Sequence, residues 1–148
     1  MQPDQQPERT GELVFYVDEC LKCSHVLTAV RAALEPGETM TVAPKGVQDE
    51  DWLPIVGQVR WVCLSKDRKM LTRPNELQAI LRFKVAMIQL VEANGREHAR
   101  LLVAALPLIR KAARALARAF VARVEPDASI RVIYEGGARL KRGRSLTM

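Results

Sequence analysis

Strand-like and helix-like segments alternate along this chain, and that alternation limits it to few folds. The run LVFYV at 13–17 favours a strand. Cys23, Val26, Leu27, Val30, Ala33 and Leu34 follow at helical spacing, which predicts an amphipathic helix over 21–34, ended by the Pro-Gly turn at 36–37. TMTVA at 39–43 predicts a second strand. DEDWLPIVGQV, from Asp49, predicts a short helix with Pro54 in its first turn. RWVCLS at 60–65 predicts a third strand, Asn75 a cap for a helix over 76–83, and KVAMIQLV at 84–91 a fourth strand. Leu102, Leu106, Ile109, Ala113, Leu116 and Phe120 are spaced 4, 3, 4, 3, 4, one long helical face with a kink expected at Pro107. SIRVIY at 129–134 completes the series as a fifth strand. The order argues for an α/β fold with a mainly parallel sheet of about five strands.

The ends differ from this pattern. Residues 1–11 are polar and proline-bearing, unlike a signal peptide, and are expected to form a flexible leader. The domain then covers 12–135, and the Gly-rich basic segment 136–148 is expected to be a flexible tail. Hydrophobic residues make up 48% of the chain, enough for a core. No run reaches the roughly 18 uncharged apolar residues of a membrane span, so a cytoplasmic protein is expected. The net charge of +6 is unevenly spread: the chain is strongly basic from Arg96 onward, while acids gather at 18–19 and 49–51. Such a balance favours nucleic acid or an acidic protein as partner. The three cysteines are expected to be reduced thiols.

The acids raise the sharper question. Asp18 and Glu19 end the first predicted strand, Asp49, Glu50 and Asp51 open a helix, and Asp67 follows the third strand. Ligands of open α/β sheets bind outside the carboxyl ends of the strands. Carboxylates crowded there repel one another, and a divalent cation relieves the conflict. Mg²⁺ or Mn²⁺ suits carboxylate and water oxygens. The competing reading is a set of solvated loop acids and acids placed to suit helix dipoles.

FYVDECL at 15–21, VQDEDWL at 47–53 and VCLSKDRKM at 62–70 resemble the three acid blocks of PIN-like nuclease domains. VapC-type toxins of toxin–antitoxin systems belong to that wider group. The resemblance covers residues 13–134. It implies a three-layer α/β sandwich and a Mg²⁺- or Mn²⁺-dependent endoribonuclease. Asp18, Asp49 and Asp67 take the metal-binding roles, and Glu19 and Glu50 orient the metal or bind it through water. RNA is the implied substrate, and a cognate antitoxin and a second copy of the chain are the implied protein partners. Ser65 stands where threonine is common, and Lys69 replaces the second acid of the last block. Glu92, just past the fourth strand, is the candidate substitute.

Arg68, Lys69 and Arg73 lie near the acid edge and are candidates for holding the RNA backbone. Arg110, Arg114 and Arg118, spaced four apart on the long helix, predict a second basic stripe for RNA or for an acidic antitoxin segment. Cys20 and Cys23 form a CxxC, but the neighbouring acids disfavour a thiolate and no zinc spacing accompanies them. Cys23 is expected in the core, Cys20 incidental, His25 and His98 at the surface, and Trp52 and Trp61 in the core. Two rival functions remain: a PIN-like scaffold that binds RNA or protein without cleaving, motivated by Lys69, and a receiver-type phospho-acceptor domain. The receiver reading ranks lower because LVEAN and IYEGG, which end the fourth and fifth strands, lack its Ser/Thr and Lys.

Overall fold

The computed structural model describes residues 13–148, so the expected leader lies outside the described residues. Seven strands form one sheet: β1 Leu13–Val17, β2 Glu38–Val42, β3 Val62–Ser65, β4 Ala86–Leu90, β5 Phe120–Val124, β6 Ile130–Glu135 and β7 Ala138–Leu146. Their spatial order is β2-β1-β3-β4-β5-β6-β7. The pairings from β2 through β5 are parallel, and those of β6 and β7 are antiparallel. The helices are α1 Ser24–Ala33, α2 Asp49–Gln58, α3 Pro74–Arg82 and α4 Gly95–Ala115.

Alternation along the strands sorts side chains to two faces. Phe15, Val17, Val62, Leu64, Ile88 and Leu90 bury one face under α1 and α4. Tyr16, Cys63, Met87 and Val121 bury the other under α2 and α3. The result is a three-layer sandwich. Parallel strands covered on both faces need continuous apolar runs, and AMIQL in β4 is fully buried along its length.

Several local expectations are corrected. A short 3-10 turn at Glu19–Leu21 separates β1 from α1, so the helix starts later than residue 21. Pro54 lies in the second turn of α2, where it lacks the N–H that would bond the Glu50 carbonyl. Arg73, not Asn75, is the N-cap residue of α3, because Pro74 takes the first helical position that its missing N–H suits. The helix α4 is capped by Asn94, whose side chain accepts from the Glu97 amide, and it continues through Pro107.

The two largest corrections lie near the C-terminus. Helical spacing carries the long face on to Phe120, but α4 stops at Ala115 and Phe120 opens β5. FVARV is a β-favouring run that pairs in parallel with β4, and this partner overrides the helical period. The expected flexible tail is the strand β7, joined to β6 by Gly136 and Gly137. Both glycines have positive φ, 61° and 81°, as a two-residue hairpin loop requires. Lys111 of α4 donates to the Thr147 carbonyl beyond β7. The sheet therefore has seven strands where five were expected.

Candidate functional site

The site is built at the carboxyl ends of β1 and β3. Asp18 follows β1 directly, its backbone N–H donating to the Leu64 carbonyl at 2.9 Å. It is only 5% exposed. Its Oδ2 accepts from Ser65 Oγ at 2.8 Å and from Cys20 Sγ at 3.2 Å. Burial pushes the Asp18 carboxyl above its ordinary value, the two hydrogen bonds oppose that rise, and the Asp49 charge adds to it. Asp67 follows β3 and caps the 3-10 turn Arg68–Thr72, accepting from the Lys69 amide at 3.1 Å. The Asp67 amide donates to Ser65 Oγ at 3.0 Å. One serine hydroxyl thus accepts from the Asp67 backbone and donates to the Asp18 side chain.

Asp49 comes from a third segment, the first turn of α2, where its Oδ1 accepts from Trp52 Nε1 at 3.0 Å. Arg73 joins the groups. Its guanidinium lies 2.9 Å from Asp67, 3.0 Å from Glu76 and 3.8 Å from Asp49. Glu76, in the first turn of α3, also meets Asp49. Burial first, and the Asp49 contact second, push Glu76 up to about 7 despite Arg73 beside it. Sequence reasoning missed Glu76. Its signal was the spacing Arg73-x-x-Glu76, which puts a cation and an acid on one helix face.

Asp18, Asp49 and Asp67 are thus brought to one edge. Glu19 faces that edge, but its carboxylate accepts from the Gly46 amide at 2.9 and 3.0 Å and so holds the loop before α2. Glu50 is exposed on the first turn of α2. A cavity of about 460 Å³ opens beside Asp67, lined by Lys66, Arg68, Lys69, Arg73 and Glu92. It gathers three of the candidate RNA-holding residues and the candidate substitute acid.

Carboxylate oxygen is the right donor type for a hard divalent cation. Among the described residues, however, no three Asp, Glu, His or Cys side chains are grouped so as to hold a metal ion as they stand. Arg73 lies among Asp49, Asp67 and Glu76. The donor set fits such a cation in kind.

The other candidates divide. Arg110 is buried, donating to both Glu38 oxygens at 2.8 and 3.0 Å and to the Ala33 carbonyl. Arg118 lies beyond the end of α4 and donates to the carbonyls of Arg60 and Trp61. Arg114 is exposed on α4. The expected stripe of three arginines on one helix face is therefore broken up, because the helix ends before the third and Glu38 engages the first. His98 is buried, with its ring Nε2 2.8 Å from the Val91 carbonyl, which corrects the surface expectation, while His25 is exposed. Burial and the Asp18 charge push the Cys20 thiol up to about 11 against the Ser65 hydrogen bond, so a reactive thiolate is disfavoured. Trp52 is buried, and its ring lies 5.1 Å from that of Tyr16. No helix among the described residues is long and apolar enough to cross a membrane.

A family model described as a PIN-like domain matches residues 13–92. No curated protein and no solved structure matches the chain. The matched segment is more than half of the 148 residues and carries β1 to β4 with Asp18, Asp49, Asp67 and Glu76: the chain belongs to the PIN-like domain family.

Proposed function

We propose that this chain is a Mg²⁺- or Mn²⁺-dependent endoribonuclease, the toxin half of a cytoplasmic toxin–antitoxin pair. The observation that carries the reading is the convergence of Asp49, Asp67 and Glu76 on one guanidinium, with Asp18 linked to Asp67 through Ser65. Four acids from separate segments share one sheet edge beside a cavity lined with cations. Asp18, Asp49, Asp67 and Glu76 would hold the metal. When bound, the divalent ion lowers the pKa of a coordinated water and neutralises charge developing on the phosphate. Ser65 and Cys20 hold Asp18 in one orientation, and the Lys69 amide does the same for Asp67. Lys66, Arg68 and Lys69 bind the phosphates on either side of the cut.

The test is cleavage by the purified full chain. Single-stranded RNA should be cut with Mn²⁺ present, leaving 5′-phosphate and 3′-hydroxyl ends, and a chelator should stop it. Asp67→Asn should lose at least about a hundredfold in rate, the scale of removing a group that stabilises transition-state charge. Cleavage that survives excess chelator overturns the reading. An adjacent small antitoxin-like reading frame supports the toxin assignment.

A second reading has its own observation. Arg73 already pairs with Asp67 and Glu76, and Lys69 stands where a further acid is expected. Both favour a PIN-like scaffold that binds RNA without cutting it. Tight RNA binding with no cleavage at any Mn²⁺ concentration supports that alternative.

A further inference from the structure

We propose that the sheet beyond the acid site, strands β5 to β7, carries a second stretch of single-stranded RNA backbone along Arg68, Arg123 and Arg139. This rests on RNA being the substrate. Two of its three residues, Arg123 and Arg139, lie outside the segment that the family model matches.

The row of residues at the carboxyl edge is where the track begins. Ser65, Gln89, Arg123 and Arg131 are register partners on four neighbouring strands. Register partners project from the same face of a sheet. One pleat earlier on that face lie Cys63, Met87 and Val121, all buried beneath the helices. The face thus changes from apolar to polar at its carboxyl edge.

This polar row is bonded to the acid site. Ser65 donates to Asp18, Gln89 Nε2 donates to the Asp67 carbonyl at 3.2 Å, and Arg123 Nε donates to Gln89 Oε1 at 3.2 Å. Arg123 is therefore two hydrogen bonds from Asp67. The charges of Arg68 and Arg139 oppose its own, and that of the Glu125 carboxylate favours it. That carboxylate also lies 3.5 Å from Arg131. Burial, then Arg68, holds the Arg123 guanidinium below its ordinary value. Arg123 is half-buried while Arg68 and Arg139 are exposed, so like charges gather around a partly desolvated guanidinium, an arrangement that an anion lying across them would relieve.

Arg68 belongs to both ends of this path. It lines the cavity beside Asp67 and it neighbours Arg123. Arg139, across the β6–β7 pair, sits over the Tyr134 ring at 5.9 Å. Neighbouring strands lie about 4.8 Å apart, so the path crosses the sheet in short steps. An RNA cut at Asp67 leaves the site in two directions, and this line of cations supplies one of them.

The experiment measures binding of a fluorescent oligouridylate to the full chain by anisotropy, in a chelator, over a range of salt concentrations. For a single strand, log K falls with log salt by about 0.7 per phosphate contacted. Arg123→Gln with Arg139→Gln should reduce that slope by about 1.4. Lysine at both positions should restore most of it. Arg100→Gln, on α4, removes a charge remote from the track and should leave the slope unchanged. If the double glutamine variant fails to fold, Arg139→Gln alone, at an exposed position of β7, should still reduce the slope by about 0.7. An unchanged slope in variants that fold overturns the track and leaves the nuclease reading intact. Equal affinity for polyglutamate of the same length overturns it in favour of an acidic peptide. A parent chain that binds no RNA overturns the track together with the RNA reading. Since no metal is present, a correct slope in a chain that never cleaves supports the track and counts against the nuclease alone.

Discussion

Replacing Glu76 by glutamine tests whether the acids at this edge are crowded. The Glu76 carboxyl ionises at about 7 in the folded chain, against an ordinary value of 4.5, chiefly because it is buried and meets Asp49. A folded pKa above the unfolded one means the native state holds a proton that the unfolded state has lost. Stability then falls as pH rises from 4.5 to about 7, and is level above that. The interval corresponds to roughly 3 kcal/mol, at about 1.36 kcal/mol per pH unit. The Glu76 side chain is 15% exposed, so solvent screening leaves most of this in place. Glutamine carries no charge to desolvate and keeps a carbonyl for Arg73. Glu76→Gln should therefore be more stable than the parent at pH 8, by up to about 3 kcal/mol, with the difference vanishing below pH 4.5. Urea unfolding reads this as a midpoint shift of roughly 1–3 M. A difference that does not vary between pH 4 and 8, or a less stable variant at pH 8, refutes the reasoning.

Two further perturbations follow from the same contacts. Arg73→Gln removes the resident cation from Asp49, Asp67 and Glu76, so the metal-free chain should melt lower while Mn²⁺ raises its melting temperature more than the parent's. Equal Mn²⁺ shifts in the two proteins would show that Arg73 does not compete for the site. Arg110→Met leaves Glu38 buried without its partner and should cost roughly 3 kcal/mol in urea unfolding at pH 7. Burial raises the Glu38 carboxyl, but the Arg110 bonds and the Glu35 amide overcome that and hold it below 4.5. The pair's contribution is thus complete above pH 4.5 and lost as pH falls through the lowered value, so the gap between parent and variant should narrow in acid.

The sequence made β1 to β4 and the helices between them legible because each carries a single period. Residues 116–124 did not yield, since LARAFVARV fits a helical face and a strand equally well. The pairing that decides it comes from β4, about thirty residues earlier. The segment 138–146 looked like a solvated tail because four of its nine residues are charged, and edge strands carry such charges. The acids at 18, 49 and 67 were legible as strand-end and helix-start residues. Glu76 was not, because a lone acid in a first turn is explained by the helix dipole alone. Arg123 was hidden for a related reason: inside a run assigned to a helix, it showed no alternation with Ala122 and Val124.

Glu19 changes how a mutational scan of this edge would have to be interpreted. Both its oxygens accept from the Gly46 amide, in the loop that leads into α2. The acidic side chain just after β1 therefore ties that strand end to the loop from which Asp49 is presented. Losing it would loosen the segment that places another acid rather than simply delete a donor. In such a scan Glu19→Ala would release the loop that leads to Asp49, while Glu19→Gln, whose side-chain carbonyl still accepts from the Gly46 amide, would keep it tied.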